Sequence, residues 1–351
     1  MSDIFTLTPD EGDGGEPTPQ KKRGRRRSKP VIALITLASV LVGVIVIVGV
    51  VGGVYASRLA NSFNDNATKI EQAFPEESTR PAPAPDGAMN ILLMGSDSRA
   101  DATTIDDPSS SDQRTDSMML LHVDADRENV YVMSIMRDLY VPIPDHGSNK
   151  INAAFAYGGS PLTVQTVEQL LGVRIDHVAI IDFEGFKGMT TALGGVDVFS
   201  PQAFSTKAGF SYVAGLNKLE GDAALAFVRE RYAFADADFT RVKNQQAFVK
   251  GLANTILSRS TLTDPGKVSA FVTAMSPYLT VDEEFDIGTI ASLGVSLRSI
   301  DASKMHFFTV PTAGTGSVGG QSIVNVDQPG LDAVKVALAN DSLNTLPIAQ
   351  N

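Results

Sequence analysis

The chain has 351 residues, 43 % of them hydrophobic, which excludes a disordered protein and allows one large domain or two ordinary ones. It contains no cysteine, so thiol catalysis, disulfides and cysteine-ligated metals are excluded too. Of the formal net charge of −11, residues 1–56 carry 7 basic and 5 acidic side chains; the remainder holds 22 basic and 35 acidic, and an excess near −13 argues against nucleic acid as a partner.

Residues 1–20 are polar and acidic, and KKRGRRRSK at 21–29 is strongly basic. The following run, Val31–Ala56, has no charged side chain. About 20 such residues span a bilayer, which predicts a transmembrane helix over 31–56. A cleaved secretory signal is the rival reading, but its apolar region is usually about 7–15 residues long. Lysine and arginine crowd the N-terminal flank, so residues 1–30 are expected as a cytoplasmic tail and the rest outside the cytoplasmic membrane, in a single-pass arrangement. Residues 57–88, ending in the proline-rich PEESTRPAPAPDG, read as an extracellular stalk, and 89–351 as the globular domain.

Within that domain, MNILLMG (89–95), MMLLHVD (118–124), NVYVMSIM (129–136), HVAIID (177–182) and GVDVFS (195–200) read as strands. The second and third look antiparallel, joined by the turn DADREN. Ser160 and Pro161 open a helix that Gly172 closes; further helices are expected at Glu184–Leu193 and from Asp222 towards Arg231. A last one follows Asp238, with Val242, Val249 and Ile256 on one stripe and Asp238 or Thr240 as its N-cap. Strands alternating with helices predict an α/β fold: a mixed central β-sheet covered by helices on both faces.

Charged residues cluster at the expected strand ends, where ligands of such sheets collect. Asp97 and Arg99 follow the first strand, Arg114 and Asp116 lead into the second, Arg137 and Asp138 end the third, and Lys150 and Asn152 follow. Any one cluster alone is a solvated loop; their recurrence suggests a site. Arginine's planar fork suits phosphate oxygens, and two carboxylates at neighbouring ends can hold Mg²⁺ across a diphosphate, the combination phosphoryl transfer requires. Arg241 and Gln245 share one face of the last helix start, where free N–H groups favour an anion, and Arg229 and Arg231 approach them. The alternative is a structural clasp of Arg229 and Arg231 with Asp236 and Asp238. His122, His146, His177 and His306 are scattered without metal-binding spacing and read as structural. No G-x-S-x-G element or Walker loop is present.

GSDSR, QRTDSMML, SIMRDLYVPI, KINAAFAYGG, DFEGFKGMTTALGGVDV, LEGDAALAFVRER and DADFTRVKNQQ, in this order behind one N-terminal anchor, resemble the LytR-CpsA-Psr family of bacterial cell-envelope proteins over about 89–256. KMHFFTVP at 304–311 looks like the family's late strand. The resemblance implies a phosphotransferase that moves a glycopolymer with one phosphate from a polyprenyl-diphosphate carrier to a peptidoglycan hydroxyl, C6 of N-acetylmuramic acid, releasing polyprenyl phosphate. It implies Mg²⁺ (or Mn²⁺) on Asp97 and Asp116, and a diphosphate held by Arg114, Arg137, Arg229, Arg231, Arg241 and Gln245. Lys150 and Asp238 also fall at family site positions, Asp238 as the group orienting the arginines. Phe155, Phe183 and Phe186 are candidates for contact with the lipid tail, with core packing as the alternative for each. The family pattern has glycine where this chain has Ala237 and Thr240. A non-catalytic polyprenyl-diphosphate binder or a transcription-attenuating membrane regulator is the competing reading.

Overall fold

The computed structural model describes residues 57–84, 87–96, 115–256, 258, 264–297, 300, 302–347. The expected cytoplasmic tail and transmembrane helix, and the positions of Asp97, Arg99 and Arg114, lie outside them.

The strands are β1 (Thr68–Ile70), β2 (Met89–Ser96), β3 (Thr115–Val123), β4 (Val130–Ser134), β5 (Tyr140–Ile143), β6 (Gly147–Lys150), β7 (His177–Asp182), β8 (Val196–Ser200), β9 (Phe204–Ser205), β10 (Ser211–Tyr212), β11 (Gly215–Leu219), β12 (Leu279–Asp282), β13 (Met305–Thr309), β14 (Thr312–Val318) and β15 (Gln321–Val326). Among the described residues the named helices are α1 (Ala153–Leu171), α2 (Phe183–Ala192), α3 (Gly221–Arg229), α4 (Asp238–Ile256), α5 (Pro265–Met275), α6 (Ile287–Ser296) and α7 (Gln328–Ala339).

Seven strands form the central sheet in the order β1-β12-β7-β2-β3-β4-β13. The pairs β1/β12, β7/β2 and β4/β13 are parallel, while β12/β7, β2/β3 and β3/β4 are antiparallel, so the sheet is mixed as expected. Period-2 alternation splits its side chains between two cores. Leu92, Met94, Leu120, Met133 and Val178 pack with Val164, Val167 and Leu171 of α1 and Leu331, Val334 and Leu338 of α7. On the opposite face Ile91, Ala179 and Val281 meet Phe63, Val272 and Phe285, and Met119, Val130 and Val132 meet Ile300 and Phe307.

Several elements differ from the sequence reading. The strand at Val196–Ser200 stands outside the central sheet and pairs antiparallel with β11, because its partner follows it locally through β9 and β10. This hairpin covers a separate core of Val196, Val198, Leu219, Phe227 and Phe248. It lies so close to α4 that a Cβ on Gly251 would collide with the Asp197 carbonyl. Helix α1 begins at Ala153, seven residues before the expected start, with a kink at Gly158 and Gly159 that lets Pro161 sit at a fresh first turn. Gly172 ends it at φ 70°, as its lack of a Cβ permits. Residues of the expected stalk pack onto the domain: β1 joins the sheet, Phe63 is 1 % exposed, and Arg80 Nη2 reaches the buried Glu168 Oε1 at 2.7 Å. Proline-rich composition predicted an extended chain but could not show that the chain lies against the fold.

Candidate active site

β4 delivers the first part of the site. Beyond Ser134 the chain turns, with Leu139 N–H bonded to the Met136 carbonyl, and the carbonyls of Arg137 and Asp138 accept from Asn152 N–H (3.2 Å) and Val324 N–H (2.8 Å). Two neighbouring segments therefore pin the Arg137–Asp138 pair. Lys150, at the end of β6, places Nζ 3.0 Å from Asp138 Oδ1.

The second part comes from the start of α4. Asp238 is the first residue of this helix, not its N-cap, because Ala237 before it takes φ 42° and turns the chain in. Freed from capping, the Asp238 carboxylate faces arginines: Arg241 Nη2 at 3.2 Å, Arg137 Nε at 3.7 Å and Arg231 Nη1 at 3.8 Å. Arg137 Nε is also 3.5 Å from Asp138 Oδ2. Arg231 thus forms its half of the expected clasp, while Asp236 is exposed and accepts a 2.5 Å hydrogen bond from Thr240 Oγ1.

Asp138 and Asp238 both lie beside Arg137 Nε and perturb each other's ionisation in opposite directions. Burial, then the neighbouring Asp138 carboxyl, raises Asp238 above the ordinary carboxylate value. Burial also opposes ionisation of Asp138, but its interactions with Asp238, Lys150 and Arg137 outweigh it and hold Asp138 below that value. Four cationic side chains, Arg137, Lys150, Arg231 and Arg241, thus surround two carboxylates. The cleft is therefore strongly electropositive in a domain that is acidic as a whole.

Arg229 and Gln245 are placed elsewhere, at a cavity of about 260 Å³. Its walls are apolar: Leu93 and Met94 of β2, Phe183 and Phe186 of α2, and Phe248, Val249 and Leu252 of α4. Ser117, Asp182, Arg229 and Gln245 supply its polar edge. The Arg229 guanidinium lies 4.3 Å from the Phe183 ring centroid. Gln245 accepts from Ser117 Oγ (3.4 Å) and donates to the Val228 carbonyl (3.3 Å). Phe183 and Phe186 thus line this cavity, whereas Phe155 is 6 % exposed within the core beneath α1.

Ser96, next to Asp97 in sequence, pairs with Thr115, while Gly95 pairs with Ser117. The register shifts between these two pairs, and the side chain of Asp116, like Asp97 itself, lies outside the described residues. Among the described residues no group of three or more His, Asp or Glu could hold a metal ion. Asp138 and Asp238 have cations as neighbours and are no substitute. A donor set of two carboxylates, as expected of Asp97 and Asp116, has the oxygen chemistry that Mg²⁺ takes.

Three contributors escaped the sequence reading. Asp138 was visible only as half of an Arg-Asp pair. Glu230, 7 % exposed, accepts from three backbone N–H groups, and nothing in RERY indicates it. Gln246 is 3 % exposed and bonds Ser134 Oγ and the Phe308 carbonyl, fixing α4 to β4 and β13; its i+4 spacing from Val242 was the available signal.

The LytR_cpsA_psr family model matches residues 54–340. The chain belongs to the LytR-CpsA-Psr family. Cell wall biosynthesis protein LcpA of Corynebacterium glutamicum is 31 % identical over 283 residues, 70 % of this chain and 54 % of LcpA, so the match spans about half of that relative. The polyisoprenyl-teichoic acid–peptidoglycan teichoic acid transferase TagU of Bacillus cereus is 32 % identical over 253 residues, 70 % of this chain and 80 % of TagU. Among solved structures, Bacillus subtilis TagV superposes with a TM-score of 0.63 at 25 % identity, covering 75 % of this chain and 99 % of TagV. TagT bound to LI-WTA gives 0.59 at 23 %, covering 76 % and 98 %, and shows the LytR-CpsA-Psr fold.

Proposed function

We propose that the protein is a glycopolymer–peptidoglycan phosphotransferase, anchored by residues 31–56 with residues 1–30 in the cytoplasm and the folded domain outside the cytoplasmic membrane. The observation that carries this reading is the adjacency of an electropositive cleft and an apolar cavity along one helix, α4: Arg241 belongs to the first, Phe248, Val249 and Leu252 to the second, and Gln245 lies between. A polyprenyl diphosphate has that same sequence of charge and hydrocarbon. The transferase relative TagU supports the reaction class.

In this reading the lipid tail enters the cavity, and Arg229 and Gln245 at its edge receive the diphosphate end, with Arg114 joining them. Arg137, Lys150, Arg231 and Arg241 supply positive charge for the non-bridging oxygens, with Asp138 and Asp238 holding those side chains in place. The acceptor hydroxyl, C6 of N-acetylmuramic acid, attacks the sugar-linked phosphorus. The bridging P–O bond breaks, polyprenyl phosphate leaves carrying the proton lost by the hydroxyl, and the glycan keeps one phosphate as a diester. Asp97 and Asp116 would hold Mg²⁺ (or Mn²⁺), which supplies charge neutralisation on the diphosphate. Without an acceptor, water in its place gives a diphosphate hydrolase side activity.

The test is release of polyprenyl phosphate by the full-length protein from a polyprenyl-diphosphate glycan with a peptidoglycan acceptor. Arg137→Ala is expected to lower turnover by about 10²-fold or more. Tight binding of the donor with no acceptor-dependent turnover would favour the non-catalytic binder instead.

A further inference from the structure

The turn between α3 and α4 carries a large aromatic side chain at the rim of the charged cleft. Tyr232 is 64 % exposed. Its backbone is nonetheless fixed, because Glu230 Oε1 accepts from the N–H groups of Arg231 (3.0 Å), Tyr232 (2.6 Å) and Ala233 (3.0 Å). Its side chain is fixed as well: Arg231 Nη2 donates to the phenol oxygen at 2.9 Å, and Lys207 Nζ lies 4.1 Å from the ring centroid. The same Arg231 reaches Asp238, so the ring is one guanidinium away from the cleft. Tyr157 is the contrasting case, since its ring is already stacked on His146 at 4.7 Å and 18°.

An exposed aromatic ring on a turn braced by a buried carboxylate has met the ordering penalty of binding in advance. Its electron-rich face attracts the weakly positive C–H bonds on one side of a pyranose, and the cations beside it can donate to sugar hydroxyls. We propose that Tyr232 is a stacking platform for a sugar ring bound next to the diphosphate. This rests on the transferase reading above. The sugar belongs either to the donor, adjoining its phosphate, or to the peptidoglycan acceptor.

The experiment uses the full-length protein in detergent, with a polyprenyl-diphosphate disaccharide and a soluble peptidoglycan fragment, comparing wild type, Tyr232→Ala and Tyr232→Trp. Tyr232→Ala should raise KM about fivefold for one of the two substrates, with kcat within about twofold, and Tyr232→Trp should restore it. The substrate whose KM moves identifies the source of the sugar. Unchanged KM values in the alanine variant, or a tryptophan variant as poor as alanine, would overturn the proposal. Absence of turnover in wild type would overturn the transferase reading alone. The platform is then judged by binding: the alanine variant should lose affinity for the disaccharide-bearing lipid but not for polyprenyl diphosphate without sugar, and equal losses would sink it.

Discussion

The charged cleft and the apolar cavity are neighbours on α4 but are held together in opposite ways. In the cleft, four cationic side chains from three separate segments converge on Asp138 and Asp238, and the arrangement depends on mutual neutralisation at low exposure. In the cavity, side chains of β2, α2 and α4 surround space they do not fill. One region is therefore sensitive to losing an atom, the other to gaining one.

Asp238→Ala should break the first half most severely. Arg241, 6 % exposed, would be left beside Arg137 and Arg231 with their shared counter-charge removed, and denaturant unfolding should show a loss of about 3 kcal/mol. Val249→Phe tests the second half by occupying the cavity. The KM of donors with long polyprenyl tails should rise about tenfold, roughly 1.4 kcal/mol, while that of short-tailed donors stays unchanged. Equal effects on both tail lengths would break the assignment of the cavity to the lipid. Ala237→Gly relieves the φ of 42° that starts α4, and thermal unfolding should show a gain of up to about 1 kcal/mol with the cleft intact.

The smallest effect is a pH dependence. Protonated Asp238 contributes stability that is fully present below its ordinary value of 3.8 and is lost as pH rises through its raised pKa. Ionised Asp138 contributes stability present above 3.8 and lost as pH falls through its lowered pKa. Wild-type stability measured against Asp238→Asn should therefore decline as pH rises above 3.8, and a constant difference over that range would refute the upward shift of Asp238.

The same contrast explains what was legible in the sequence. Hydrophobic periodicity revealed β2, β3, β4 and β7, and the spacing of Arg241 and Gln245 put both on one face at the start of α4. The Arg241–Asp238 pair is itself a local i, i+3 contact, but the spacing did not reveal that Arg229 and Gln245 belong to the cavity while Arg231 belongs to the cleft, because the cavity walls come from distant segments. A period of two identifies a strand without naming its partner, which is why Val196–Ser200 was recognised as a strand and its hairpin was not. Asp138 and Asp238 are 100 positions apart, and no local rule couples two aspartates at that range.

The strand order has a consequence for the order of events in making the protein. β4, which leads into Arg137 and Asp138, is covered on its outer side by β13, formed only at Met305–Thr309, and β12 enters the sheet from Leu279–Asp282. A ribosome that has synthesised every charged group of the cleft has still not supplied the strands flanking β4 and β7. A nascent chain stopped before Met305 would hold the full set of cleft side chains on a sheet with an open edge, prone to pairing with other chains, and so would be a substrate for quality control before it could become a catalyst.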